Sequence, residues 1–279
     1  MNFDPKQIAG ICRLLVVFLL FTATAAAAAP PSLLMATTTS TDNTGLLDYL
    51  MPLFTKSSGI EVKWTATGTG KALALGQNCD VDVLMVHDPI AEKEYLEKGY
   101  GVDRREIMFN DFILIGPSSD PAAIRGKTAV AAFAAMRAKG AVFASRGDES
   151  GTHAMEKELW RRSVQTVPDK EAWYIQTGQG MLATIHVAEE RNGYCLTDRG
   201  TYIKYEDVKG GDPRLKILVE GDTTLQNQYS VIAVNPKKCN NSKYDLVMKL
   251  SAWLAGAEGQ KAIAGFQLLG KPLFTPNAK

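Results

Sequence analysis

Histidine is scarce. The three residues His87, His153 and His186 share no H-x-x-x-H spacing, and no pair is placed for a metal. Charge of one sign is missing too. The formal net charge is +1, with no long block of like charges, which excludes an electrostatic nucleic-acid surface and a solvated tail. Cysteine is limited to Cys12, Cys79, Cys195 and Cys239, at spacings that fit no metal site. A nucleotide loop is also lacking. "TGTGK" (67–71) has Thr65 where the phosphate loop needs glycine and Ala72 where it needs Ser or Thr. "GDESG" (147–151) sets Ser150 one place out of register for a hydrolase elbow. No internal repeat occurs, and no apolar run after residue 29 approaches the length of a membrane span.

The N-terminus does carry an apolar run. Lys6 and Arg13 precede about 16 apolar or small residues that degenerate into alanine before "PPS". That is a secretory signal over residues 1–29, too short and too alanine-rich for a span, and cleavage is expected near Ala27 to Ala29. Cys12 precedes the run and is no lipid-attachment site. The mature protein is expected to be exported and soluble. Without Lys6, Arg13 and Asp4, 29 residues of each sign remain, so any anion must be held by local geometry and not by bulk charge. Cys79, Cys195 and Cys239 leave at least one cysteine unpaired in an oxidising compartment; small buried residues with at most one disulfide are expected.

With 46% hydrophobic residues the rest is globular. Periodicity gives strands at 33–36, 60–67, 81–87, 111–117, 141–145, 172–177, 194–198, 215–220 and 229–236, alternating with helices. Asp88, Pro89 and Gly99 mark the ends of one of those helices, and two more close the chain. Alternation predicts an α/β fold with mostly parallel sheets. Nine strands suit two lobes better than one sheet. Strand-like runs ending at Pro117 and Pro236 are the expected crossovers. They set lobe 1 at 32–116 plus 231–279 and lobe 2 at 117–230.

Five strand ends share one chemistry: "TTTSTDNTG" (37–45), "TGTGK" (67–71), "SRGDESGT" (145–152), "TGQGM" (177–181) and "TDRGT" (197–201). Helix capping accounts for one such turn. Five, with three consecutive threonines in the first, exceed it. In an open α/β fold these turns gather at the carboxyl ends of the strands, where ligands bind. Helix N-termini there present free N–H groups to an anion, glycines allow close approach, and hydroxyls donate further bonds. Arg146 is the one cation embedded among these donors. A structural ion pair with Asp148 is its alternative role, and both can hold. Arg199 is a second cation, expected to be structural. His153 as a base for Ser150 would need an acidic orienter and an oxyanion hole that no motif supplies. "RGD" at 146–148 at a strand end is read as coincidence, and "NNS" at 240–242 as a sequon without consequence in a bacterial protein.

As a set, "ATTTSTDNTGLLDYLMPLF", "GTGKALALG", "DVDVLMVHDP", "NDFILIGP", "SRGDESGTH", "WYIQTGQGM", "LTDRGTY" and "LVEGD" followed by "VIAVNP" resemble the tungstate-binding proteins of ABC transporters, from about Leu33 to Asn277. The resemblance implies a type II periplasmic-binding fold: two α/β lobes, each a mostly parallel sheet flanked by helices, with an oxyanion in the cleft. It implies a monomer without catalytic activity or cofactor, located in the periplasm, delivering tungstate, with molybdate the alternative cargo, to separate permease and ATPase chains. Carried over by motif, the anion site is Thr38, Thr39, Ser40, Thr69, Arg146, Ser150, Gly151 and Thr152, supported by Gly68, Asp148, Gly180 and Arg199. "SRGDESGT" also resembles the R-x-D-x-S-G-T turn of phosphate-binding proteins, which share the fold. At neutral pH phosphate keeps a proton that a carboxylate must accept, whereas tungstate is a bare dianion. Asp148 therefore either braces Arg146 or accepts a ligand proton, and the alternatives separate the two anions.

Overall fold

The computed structural model describes residues 30–279; the signal expected over residues 1–29 lies outside the described residues. Strands β1 (Ser32–Thr38), β2 (Glu61–Thr67) and β3 (Val83–Val86) run parallel in the order β2-β1-β3. Their apolar residues Leu33, Met35, Val62, Val83 and Met85 form one core with helix α2 (Leu46–Ser58). That helix turns Leu46, Leu47, Leu50, Met51 and Phe54 inward, the spacing of one helical face. It stops at Gly59, whose φ of +72° is costly for a residue with a Cβ. A second parallel set, β5 (Phe143–Ser145), β6 (Tyr174–Gln176) and β7 (Tyr194–Asp198), runs in the order β7-β5-β6 over its own core. There Trp160 meets Phe133 edge to face at 4.5 Å, and Phe143 and Tyr174 pack beside it.

Two long antiparallel strands join the halves, β4 (Gly101–Pro117) and β9 (Gln226–Val234). Ile107 and Met108 of β4 lie in the first core, while Phe112 and Leu114 lie in the second. On the return, Leu225 belongs to the second core and Tyr229 to the first. The chain therefore changes halves at about 109–111 and 226–228, several residues before Pro117 and Pro236. At the crossing the chain reads Phe109-Asn110-Asp111, and the apolar run "FILIG" (112–116) lies wholly in the second half. Pro117 ends the strand, not the crossing. Asp103, Arg104, Arg105 and Glu106 mask the alternation of the first ten residues of β4; Arg104 is held by the buried Glu92.

Further helices fill the connections: α1 (Thr39–Asp42), α3 (Thr69–Gln77), α4 (Pro89–Glu97), α5 (Ala129–Lys139), α6 (Gly151–Val164), α7 (Met181–Glu190) and α8 (Arg199–Val208). β8 (Leu215–Val219) pairs with the end of β4. The chain closes with α9 (Tyr244–Ala255) and α10 (Ala257–Gly265) on the first half, then the short β10 (Gln267–Leu268), β11 (Lys271–Pro272) and β12 (Thr275–Pro276), the last pairing with β4. A disulfide joins Cys79, just past α3, to Cys239, just past β9, stapling two distant stretches of the first half; Cys195 is buried and free. Helix α8 bridges the halves. Ile203 packs in the first core and Tyr202 and Tyr205 in the second half, while the Lys204 ammonium donates to the Asn43 carbonyl. Among the described residues, no helix is long and apolar enough to cross a membrane.

Candidate functional site

The threonine turn begins where β1 ends. Thr38 is buried and caps α1, its Oγ1 accepting from the Thr41 amide at 3.2 Å. Thr37, one residue earlier, points into the fold and donates to the Met85 carbonyl at 2.9 Å, so it is structural. Thr39 is exposed on the first position of α1, and Ser40 lies half-buried beside Thr38, with 3.1 Å between their hydroxyls. Both hydroxyls reach Nε2 of His87, at 3.0 Å from Thr38 and 3.1 Å from Ser40. The parallel register sets Thr38 beside Thr67, so Gly68 and Thr69 form the neighbouring turn. Gly68 occupies the cap position of α3 without a side-chain bond, leaving the first-turn amides open to a ligand.

The second half contributes the turn after β5. Gly147 has φ +59°, and a Cβ there would meet that of Gln176 at 2.9 Å, so only glycine fits. The loop folds over Asp148. One of its oxygens accepts from the Ser150 hydroxyl at 2.7 Å and from the Ser150 amide at 3.2 Å, and the other accepts from Nη2 of Arg146. Burial pushes the Asp148 carboxyl up, but the Ser150 hydroxyl and the Arg146 guanidinium outweigh it and hold the group below its usual range. Nε of Arg146 donates to the Gln179 carbonyl at 2.8 Å, which leaves Nη1 uncommitted among the described residues. Gln179 precedes Gly180, which like Gly68 holds a cap position without a side-chain bond, at the start of α7.

Ser150 caps α6, accepting from the His153 amide at 3.4 Å. Its single hydrogen goes to Asp148, so its hydroxyl is no free donor. The His153 ring is occupied as well: Nδ1 accepts from the Glu149 amide at 3.1 Å, and burial together with Lys157 lowers its pKa. The Ser150–His153 pair therefore meets through a backbone amide and forms no nucleophile–base relay. Thr152 is 9% exposed, inside the first turn of α6. Beneath the loop lies Glu156, 1% exposed, with Oε1 accepting from the Tyr174 hydroxyl at 2.6 Å and the Trp160 indole at 3.3 Å. Burial pushes its carboxyl up to about 7 despite those bonds.

The two turns face each other. A Cβ built on Gly151 would lie 3.7 Å from Cε1 of His87, so the N-terminus of α6 opposes the Thr38–Ser40–His87 cluster across the halves. Arg199 is not part of this meeting. It forms a fork to Asp111 with both bonds at 2.6 Å and reaches Glu220 at 2.7 Å, which braces the crossing strand β4. A cavity of about 320 Å³ lies against Arg199, Asp222 and Phe274, and neither the Thr38–Ser40 turn nor the Arg146–Thr152 turn lines it. The structure adds His87, Asn227, Gln179 and Glu156 to the candidate site residues named from sequence. His87 ends the strand "VDVLMVH", but the Asp-Pro that follows has the signature of a helix start, and no hydroxyl or glycine marks it. Among the described residues no His, Cys, Asp and Glu cluster suits a metal ion.

Two parallel half-sheets linked by two crossing strands, with glycine-capped and serine-capped helix starts opposed between them, define a two-lobed binding protein of the periplasmic type. The PBP superfamily domain matches residues 24–258. The tungstate-binding protein TupA of Campylobacter jejuni is 51% identical over 240 residues, covering 86% of this chain and 89% of that protein. The solved tungstate-binding protein TupA of Desulfovibrio alaskensis is 60% identical, with a TM-score of 0.86, covering 89% of this chain and all of the other. A tungstate ABC transporter structure from Geobacter sulfurreducens is 46% identical, with a TM-score of 0.73, over 84% of this chain and 98% of its own. The chain belongs to the TupA family of tungstate-binding proteins within the PBP superfamily.

Proposed function

We propose that this protein captures tungstate between its lobes outside the cytoplasm and hands it to the permease and ATPase of an ABC transporter. It acts as a monomer, without catalysis or cofactor, after export on the segment 1–29. Thr38, Thr39, Ser40 and Thr69 form the lobe 1 wall, and Arg146, Ser150, Gly151 and Thr152 form the lobe 2 wall. Ser150 acts through the backbone of its turn, since its hydroxyl is committed to Asp148. Gly68 and Gly180 keep helix starts open, Asp148 aims Arg146, and Arg199 stiffens the crossing strand. The lobes swing about 109–111 and 226–228, and closure over the anion excludes water, which strengthens the fixed hydrogen bonds.

The observation that carries this reading is Asp148. It is ionised, and three of its four acceptor positions are taken within the turn, two by Ser150 and one by Arg146. A monohydrogen phosphate needs a free acceptor for its proton; a bare dianion needs none. Titration calorimetry with tungstate, molybdate, sulfate and phosphate tests it. Tungstate is expected to bind most tightly, with molybdate, of nearly equal size, nearest to it. Absence of heat with tungstate, or a preference for phosphate, would overturn the assignment.

A further inference from the structure

The imidazole of His87 is buried, and its donor–acceptor pattern is determined by its neighbours. Asn227 donates its amide N–H to Oδ1 of Asn110 at 2.8 Å, so its own oxygen faces Nδ1 of His87 at 2.9 Å. An amide oxygen only accepts, so Nδ1 carries the ring hydrogen. Burial lowers the pKa of this ring more than Asn227 and the carboxylates of Asp198 and Asp88 raise it, which leaves Nε2 as a bare lone pair. The ring stacks on Tyr229 at 4.6 Å and 24°, which fixes its plane. Nε2 therefore points at the Thr38 and Ser40 hydroxyls from one direction.

A single lone pair takes one hydrogen bond well. Two hydroxyls compete for it, with 3.1 Å between them. The Thr38 hydroxyl also lies 2.7 Å from that of Thr41, a second acceptor for its hydrogen; when Thr38 donates to Nε2, the Ser40 hydrogen is left for a ligand. Asn110 and Asn227 are also direct partners in the β4–β9 ladder, at the point where both strands pass between the halves. A continuous polar line thus runs from the crossing strands through His87 to the threonine turn.

We propose that His87 is a positioning residue of the oxyanion site: held as the Nδ1–H tautomer by Asn227, it orients the Thr38 and Ser40 hydroxyls toward the anion and couples their orientation to the strands on which the lobes move. This rests on the oxyanion reading above. Removing the acceptor lets both hydroxyls turn to each other or to water, so a dianion must first reorganise them.

The test is calorimetric titration with sodium tungstate of the wild-type protein and of His87→Phe, His87→Gln, Ser40→Ala and the double variant His87→Phe/Ser40→Ala. Phenylalanine keeps the stack on Tyr229 without the lone pair, and glutamine restores an acceptor. His87→Phe is expected to weaken binding at least about tenfold, the worth of one hydrogen bond. Glutamine is expected to recover most of that loss. The double variant is expected to lose less affinity than the sum of the two single losses, because both changes act on one hydrogen-bonded group. Nitrogen NMR of the wild-type ring is expected to show a hydrogen on Nδ1 and a shift of Nε2 on adding tungstate. This readout remains if a variant fails to fold. Wild-type binding with His87→Phe unchanged, fully additive losses, or a hydrogen on Nε2 would each overturn the proposal alone. A wild type that takes up no tungstate would instead overturn the oxyanion reading itself.

Discussion

Glu156→Gln should change how stability depends on pH. The Glu156 carboxyl lies under the Ser145–Arg146 segment, 1% exposed, and burial raises it from an ordinary 4.5 to about 7. Among the described residues no cationic side chain pairs with it. Tyr174 and Trp160 donate to it, the Ser145 hydroxyl lies 3.0 Å from the Tyr174 oxygen, and Cys195 is a buried thiol pushed up in turn. Between 4.5 and about 7 the native protein keeps a proton that the unfolded chain releases. Its stabilising effect is therefore complete below pH 4.5 and is lost as pH rises through about 7. At about 1.4 kcal/mol per pH unit, that interval is worth about 3 kcal/mol. Glutamine keeps the neutral form at every pH. Urea unfolding of both proteins from pH 4.5 to 8 should show the wild type losing about 3 kcal/mol relative to the variant over that range. His87 and His153 titrate in both proteins and cancel in the difference. A flat difference, or one of opposite slope, would refute the reasoning. The same carboxyl sits behind the Arg146–Ser150 turn, so a dianion bound there as proposed favours its protonated form. Tungstate affinity should accordingly fall as pH rises through about 7 in the wild type and much less in Glu156→Gln.

Arg146→Ala should weaken tungstate binding by about 10-fold to 150-fold in calorimetry, the equivalent of a charge-assisted bond of about 1.5–3 kcal/mol. Arg146→Lys should fail to restore it, because one ammonium cannot reach the Gln179 carbonyl, Asp148 and an anion in the directions the fork serves together; wild-type affinity in either variant would make Arg146 structural only. Cys79→Ser or Cys239→Ser opens a loop of sequence separation 160 and should cost about 2–5 kcal/mol in chemical denaturation, matched by reduction of the wild type. Unchanged stability in either variant would contradict a stapling role.

Much of the architecture was legible in the residue order. The alternation of apolar strands with helices bounded by Gly59, Asp88, Pro89 and Gly99 is a local pattern, and local sterics and capping enforce it wherever it occurs. The polar strand ends were legible for the same reason, since Gly68, Ser150 and Gly180 stand in helix-cap positions that sequence marks directly. Other features depended on residues far apart in the chain. Asp111 and Arg199, separated by 88 positions, pair only because β4 passes between the halves beside α8. Cys79 and Cys239 stand 160 residues apart, and no spacing rule selects them over Cys195.

The amino-acid sequence by itself determined the α/β class, the polar turns at the strand ends, and Arg146 as their embedded cation. Each follows from chemistry within a few residues. Only the tertiary structure decided that Asp148 braces Arg146, that the Ser150 hydroxyl is already spent on Asp148, and that His87 stands behind the threonine turn. Hydrogen-bond partners compete, and a donor with one hydrogen goes to whichever acceptor the fold brings nearest. The identity of that acceptor is a property of the packed chain.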